Sequence, residues 1–324
     1  MASLKEVKAR IGSVSSTKKI TGAMKMVSSA KLKKAQGAIE SIAPYQDRLN
    51  RILNNFLETE TDFQSAFAEV RPLNKLAIVV FSSNSSLCGA FNSNVIKRLT
   101  EVIAENKELG MDNIVVFPIG KKIHDAVKKL PVKFEGEYSK LADKPNFSGM
   151  CDVTNTIMNK FLTKEFDKVI VIYHHLKSTS VQKLFTENFL PITFDKKEEE
   201  EKAAACDYIV EPGKREVLEA LLPKALRTKL YACLLDSNAS EYGARVVAMQ
   251  TATDNADELI KELTILYNKT RQQSITNELL GNAEMMNNEI ANYRKVTAED
   301  IRNKAKEIFR KENCSTLYYK AKKK

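Results

Sequence analysis

The chain of 324 residues predicts two long helices, one near each end, pairing antiparallel as a coiled coil, with a central Rossmann-like α/β domain between them. Three observations predict this class. Apolar residues recur at heptad spacing from Leu4 to Phe56, and a second long amphipathic run extends from Lys214 to Leu280. Between the two, short apolar stretches alternate with amphipathic ones, the pattern of a largely parallel sheet covered on both faces. The expected domains are an N-terminal coiled-coil helix at 1–60, the α/β domain at 72–212, a C-terminal coiled-coil helix at 213–280 and an atypical extension at 281–324.

The first helix follows two interleaved series. One is Leu4, Ile11, Lys18, Lys25, Leu32, Ile39, Gln46 and Leu53; the other is Val7, Val14, Thr21, Ser28, Ala35, Ile42, Leu49 and Phe56. Together they form a seam that is apolar at its ends and polar in its middle. A helix from residue 4 to 58 would be about 80 Å long at 1.5 Å per residue, too long for a small domain to enclose. Pro44 removes one ladder bond and favours a kink, yet the heptad phase is the same on both sides of it, which predicts one bent helix. Gly12, Gly22 and Gly37 each cost about 1 kcal/mol relative to Ala and favour the competing arrangement, a bundle of shorter helices. No cluster of turn residues interrupts the run before residue 58, so the single helix is the better reading.

The centre is legible as alternating elements. "KLAIVVFSS" is strand-like, "FNSNVIKRLTEVIAENKEL" helical, "NIVVFPIG" strand, "KKIHDAVKKL" and "FSGMCDVTNTIMNKFLTKEF" helices, and "DKVIVIYHHL" strand. A hairpin-like stretch "VQKLFTENFLPITF" follows, and then a charged, linker-like run "KKEEEEKAAA" ahead of "CDYIVEP". In the second long helix Pro223 lies inside the run, and Leu263, Leu266 and Thr270 fall at heptad spacing just before Arg271, Gln272 and Gln273.

The α/β pattern requires a test for chemistry. The loop "SSNSSLCGAFN" stands where a doubly wound fold places its phosphate loop, but it has one Gly, no GxGxxG and no Gly-Lys-Ser/Thr. It reads as a structural strand-to-helix turn. Cys88 within it reads as a small buried residue, with no His or acid near it in sequence. His174 and His175 alternate along a strand and so face opposite sides, which prevents both from chelating one metal. His124, alone on a helix, reads as a packing or surface residue. No catalytic residue, cofactor site or metal site is expected.

Composition sets outer bounds. Net charge is +10, with no Trp and only 7% aromatic residues, which suits long exposed helices and an acidic partner surface. Five cysteines at 88, 151, 206, 233 and 314 lack CxxC spacing, pointing to a reducing, bacterial cytoplasmic setting. No run approaches the roughly 20 apolar residues of a membrane span. The helical period begins at Leu4, leaving no room for a targeting peptide.

The segments "STKKITGAMKMVSSAKL" (16–32) and "SNASEYGARVVAMQTATDNADELIKELTILYNKTRQQSITNELL" (237–280) resemble the two signature segments of the gamma subunit of the F-type ATP synthase. "SSLCGAFN" resembles that family's central loop, with Ser86 in place of a glycine. The resemblance spans about residues 1–280. It implies a non-catalytic central-stalk rotor whose coiled coil turns inside a ring of alpha and beta subunits. The central domain would rest near the membrane c-ring with the epsilon subunit, at the cytoplasmic face of the bacterial inner membrane. Proton-driven rotation would then be coupled to ATP synthesis on the beta subunits.

The resemblance also carries over five positions as contacts with the beta subunits: Met24 and Lys25 on the first helix, and Arg271, Gln272 and Thr276 on the second. Residues 1–34 hold nine Lys/Arg and one acid, Glu6. Attraction between exposed charges is soft, about 1 kcal/mol at 4 Å in water, which suits a surface that must pass several orientations. A competing reading is a basic coiled-coil nucleic-acid binder, suggested by the charge but lacking interleaved aromatics and any binding motif. A Rossmann-type enzyme is disfavoured by the missing phosphate loop.

Past residue 280 the chain departs from the family's ending. "VTAED" has Thr297 and Asp300 at capping-box spacing, which predicts a helix from Ala298 to Arg310 followed by a strand-like "STLYYKA". This ending resembles the terminus of pitrilysin-type zinc peptidases and their inactive homologues. Their His-x-x-Glu-His motif is absent, so no peptidase activity is expected.

Overall fold

The computed structural model describes residues 3–59, 65–192, 210–211, 213–280 and 293–310. The charged run 196–205, the stretch 206–209 and the strand-like segment 315–321 lie outside the described residues. The elements in order are α1 (Leu4–Thr59), β1 (Leu76–Phe81), α2 (Phe91–Glu105), β2 (Ile114–Ile119), α3 (Lys121–Val127) and β3 (Lys133–Phe134). They continue with α4 (Ser139–Asp143), α5 (Phe147–Leu162), β4 (Lys168–Ser178), β5 (Val181–Leu190), α6 (Lys214–Leu280) and α7 (Ala298–Ile308). The chain forms two compact units. One is Ser16–Asp257; the other combines the first 15 residues with everything after Asp257.

Both long helices are continuous, 56 residues in α1 and 67 in α6, and neither Pro44 nor Pro223 ends its helix. The start of α1 is fixed by a reciprocal cap. Glu6 N–H donates to Ser3 Oγ while Ser3 N–H donates to a Glu6 carboxylate oxygen, satisfying two donors that would otherwise lack a helical acceptor. Every position of the two predicted heptad series is buried or half-buried, the polar Lys18, Thr21, Lys25 and Ser28 included.

Within the larger unit, α1 and α6 run antiparallel. Lys18 pairs with Asp257, Thr21 meets Thr253, the Lys31 ammonium lies over the Tyr242 ring, and Leu49, Leu53 and Phe56 pack with Leu218 and Leu222. Moving forward on α1 thus moves backward on α6, as the pairing of two end helices requires.

The sheet has the order β3-β2-β1-β4-β5. β1 is parallel to both β2 and β4, β2 is parallel to β3, and β5 is antiparallel to β4. The expected hairpin-like stretch is therefore corrected: Val181–Leu190 is one strand, and the hairpin is the one it forms with β4. The alternation in "VQKLFTENFL" is that of an edge strand, half-exposed on one side.

Each face of the sheet has its own core. On one face Leu76, Ile78 and Val80 pack with Val95, Leu99 and Val102 of α2 and Ile123 and Val127 of α3. On the other, Ala77, Val79 and Phe81 pack with Met150, Ile157 and Phe161 of α5. Leu226, Leu230, Cys233 and Leu234 of α6 complete that second layer. One helix therefore meets α1 through Leu218 and Leu222, covers the sheet with residues 226–234, and meets α1 again through Tyr242 and Thr253.

In the smaller unit Val7 is buried, and Leu4, Ile11, Val14, Leu263, Tyr267, Thr270 and Gln273 are half-buried. Leu266 is exposed, so the expected heptad position is corrected to Tyr267. Positions 263, 266 and 270 and positions 263, 267 and 270 are equally good heptads; burial selects the second. α7 starts at a Thr297–Asp300 capping box, as the spacing predicts, and no residue along it is buried. No helix among the described residues is long and apolar enough to cross a membrane.

Candidate functional site

In a doubly wound sheet the place for a ligand is the crevice beyond the carboxyl ends of the strands, where the connections diverge. Here that place lies beyond β1, between β2 and β4, at Ser82–Leu87. The chain fills it with its own groups. At the start of α3, Lys121 N–H donates to Asn84 Oδ1, Lys122 N–H to the Ser83 carbonyl, and Ile123 N–H to Ser82 Oγ. These are the N–H groups a phosphate would need. Gly120, at φ +116°, lets the turn close on β1, since a Cβ there would stand 2.2 Å from the Ser82 carbonyl oxygen.

Side chains from α6 close the crevice from the other side. Arg245 donates to Ser85 Oγ at 2.8 Å and to Glu241 Oε1 at 2.6 Å, with both charged residues buried. Burial pushes the Glu241 carboxyl above the usual carboxylate range, while Arg245 and Lys31 pull it down and Asp143 adds to the rise. Cys88 is buried against Ser83 and Asn92, whose Nδ2 lies 3.1 Å from the sulfur, consistent with a packed residue in a structural turn. His174 is buried and stacked on Phe91 at 4.2 Å, and burial pushes its pKa down to about 4. His175 points to the opposite face and bonds Asp236, as strand alternation predicts. His124 is buried edge-on to Phe134.

The five carried-over residues are all on helices. Met24 and Lys25 are half-buried on α1 in the larger unit, with Lys25 in the heptad seam. Arg271, Gln272 and Thr276 are exposed on α6 in the smaller unit, and Gln272 and Thr276, four residues apart, share one helix face. Gln273 turns inward to the seam.

Beside Met24 the structure exposes apolar surface that sequence reasoning missed. Ile20, Met26 and Val27 are 60%, 70% and 59% exposed. The signal was present as apolar residues outside both heptad series. Near Arg271 and Gln272, Ile265 and Ile275 are likewise exposed. Clustered exposed apolar side chains flanked by basic ones are a surface suited to a protein partner.

Fold and site together define a class: an antiparallel helical pair continuous with an α/β body whose ligand crevice is filled by its own side chains. Residues 3–281 match the family model described as ATP synthase. The ATP synthase gamma chain of Bacteroides fragilis is 55% identical over 282 residues, covering 86% of this chain and 97% of that one. That of Flavobacterium johnsoniae is 45% identical over 291 residues, covering 89% and 100%. Among solved structures, the rotor of the Euglena gracilis mitochondrial ATP synthase superposes with a TM-score of 0.56 at 19% identity, over 84% of this chain and 98% of that chain. The chain belongs to the ATP synthase gamma chain family. Nothing found favours a nucleic-acid-binding protein.

Proposed function

We infer that this protein is the central-stalk rotor subunit of an F-type ATP synthase. It carries no active site of its own and couples proton-driven rotation of the membrane c-ring to ATP synthesis on the beta subunits. Its partners are the alpha and beta subunits, the epsilon subunit and the c-ring, and it works at the cytoplasmic face of the bacterial inner membrane. The observation that carries this reading is the match of residues 3–281 to the family, with 55% identity to one gamma chain over 97% of its length. The antiparallel pairing of α1 and α6 supports it, because a shaft needs two long helices that cannot turn independently.

Met24, Lys25, Arg271, Gln272 and Thr276 are the contacts with the beta subunits, joined by the exposed Ile20, Met26 and Val27. Residues 281–324, with their pitrilysin-like ending, are an appended segment outside the rotor function.

The test is reconstitution of the complete complex in sealed vesicles, with alpha, beta and epsilon subunits and the membrane c-ring. Replacing Arg271 and Gln272 together by Leu should lower coupled ATP synthesis while the variant still folds and assembles. Unchanged coupling would remove both from the contact surface, and failure of the wild-type chain to co-assemble would remove the rotor reading.

A further inference from the structure

Where α6 passes the end of β1, two buried polar atoms lack a hydrogen-bond partner. Ser237 and Asn238 are 3% and 6% exposed, yet no protein donor or acceptor pairs with Ser237 Oγ or Asn238 Oδ1. The amide of Asn238 is held in its orientation because Nδ2 donates to the Ala142 carbonyl at 3.1 Å. Turning it over would break that bond and leave a donor unpaired instead. Unpaired buried polar atoms are rare in native proteins, and two side by side point to an occupant.

Both residues line the same small cavity, together with Ser82, Ala142 and Glu241. Its cavity volume of about 10 Å³ is close to the least that one water molecule requires. The lining defines the chemistry of what fits. Asn238 Oδ1 can only accept, so the occupant must donate; Ser237 Oγ can do either. Glu241 offers a carboxylate, and Arg245 Nη1 occupies its Oε1 at 2.6 Å. Because that guanidinium already balances the local negative charge, a neutral donor fits better than a cation.

We propose that this cavity is a binding site for one ordered water, hydrogen-bonded to Ser237 Oγ and Asn238 Oδ1, which joins α6 to the crevice beyond β1. The molecule stands where doubly wound folds hold a ligand, so the site is that crevice reduced to a single solvent molecule. The proposal is independent of the rotor reading, since it rests only on residues within Ser16–Asp257.

Crystal structures of the full-length wild type and of Ser237→Ala and Asn238→Leu, at a resolution that orders buried water, decide it. The expected result is a peak within hydrogen-bond distance of both atoms in the wild type, lost or weakened in each variant. A wild-type map without the peak, or one in which the two side chains bond directly to protein groups, would overturn the proposal. So would a peak that persists unchanged in both variants. Anomalous signal there after a rubidium soak would replace the water with a monovalent cation.

Discussion

Thr21 on α1 and Thr253 on α6 place their hydroxyl oxygens 2.9 Å apart across the helix pair, in the polar middle of an otherwise apolar seam. Each hydroxyl is also within reach of a carbonyl on its own helix, Lys18 for Thr21 and Met249 for Thr253. One proton therefore crosses between helices while the other bonds back. Thr21→Val should cost about 1 kcal/mol, because Thr253 loses its cross-helix partner. Adding Thr253→Val should recover part of that loss. A double-mutant cycle by chemical denaturation measures the coupling, and additive losses would show that the two hydroxyls do not interact.

Arg245 and Glu241 neutralise each other in a buried site. Arg245→Met leaves a buried carboxylate unpaired, and the loss should be about 3–5 kcal/mol. Replacing both partners by apolar residues should cost clearly less than the single change. Denaturation midpoints of the single and double variants separate the two outcomes.

Lys18 and Asp257 form an ion pair in which both side chains are about 40% exposed. Solvent screens such a pair, so Lys18→Met should change stability by no more than about 1 kcal/mol. The effect of the substitution should shrink further as salt is added. A loss as large as that of Arg245→Met would contradict the screening argument.

His174 gives a pH dependence with a definite sign. Burial depresses its pKa from 6.5 to about 4, so the unfolded chain takes up the proton first as pH falls. Its contribution is fully present above pH 6.5 and is lost progressively down to about pH 4. The loss amounts to about 3 kcal/mol. His174→Phe, which preserves a ring against Phe91, should flatten that part of the stability profile; an unchanged slope would assign it to other groups.

The thiols differ in access. Cys88 and Cys233 are buried and Cys151 is partly exposed. Burial pushes the Cys233 thiol up to about 12, and it raises Cys151 as well. Since the thiolate is the reactive form, Cys151 should label slowly in the native chain and Cys88 and Cys233 only on unfolding. Peptide mapping after alkylation reads each site separately.

The seam of α1 was legible because heptad spacing depends only on local periodicity: Val7, Leu32, Leu49, Leu53 and Phe56 are buried as the series predicts. The polar break at Thr21 was legible too, but its partner Thr253 was not, since nothing local couples residues so far apart in sequence. The same holds for Arg245 with Ser85 and His175 with Asp236, which join α6 to the α/β body. Tyr267 and Leu266 compete for one heptad position in the sequence, because an amphipathic side chain can serve either face. Ile20, Met26 and Val27 are ordinary helix composition in the sequence, and only their exposure sets them apart. The five partner positions came from resemblance alone, because an exposed Arg or Gln on a helix has no local signature.

The two roles of α6 share one unbroken backbone: Leu226, Leu230 and Leu234 lie under the sheet, and Tyr242 and Thr253 lie against α1, with no loop in between. A load applied to the body would meet no joint before it reached the paired segment. Elastic compliance would have to come from bending or unwinding the helix itself, and softening it by a glycine insertion between Leu234 and Tyr242 would be felt as slack at both ends.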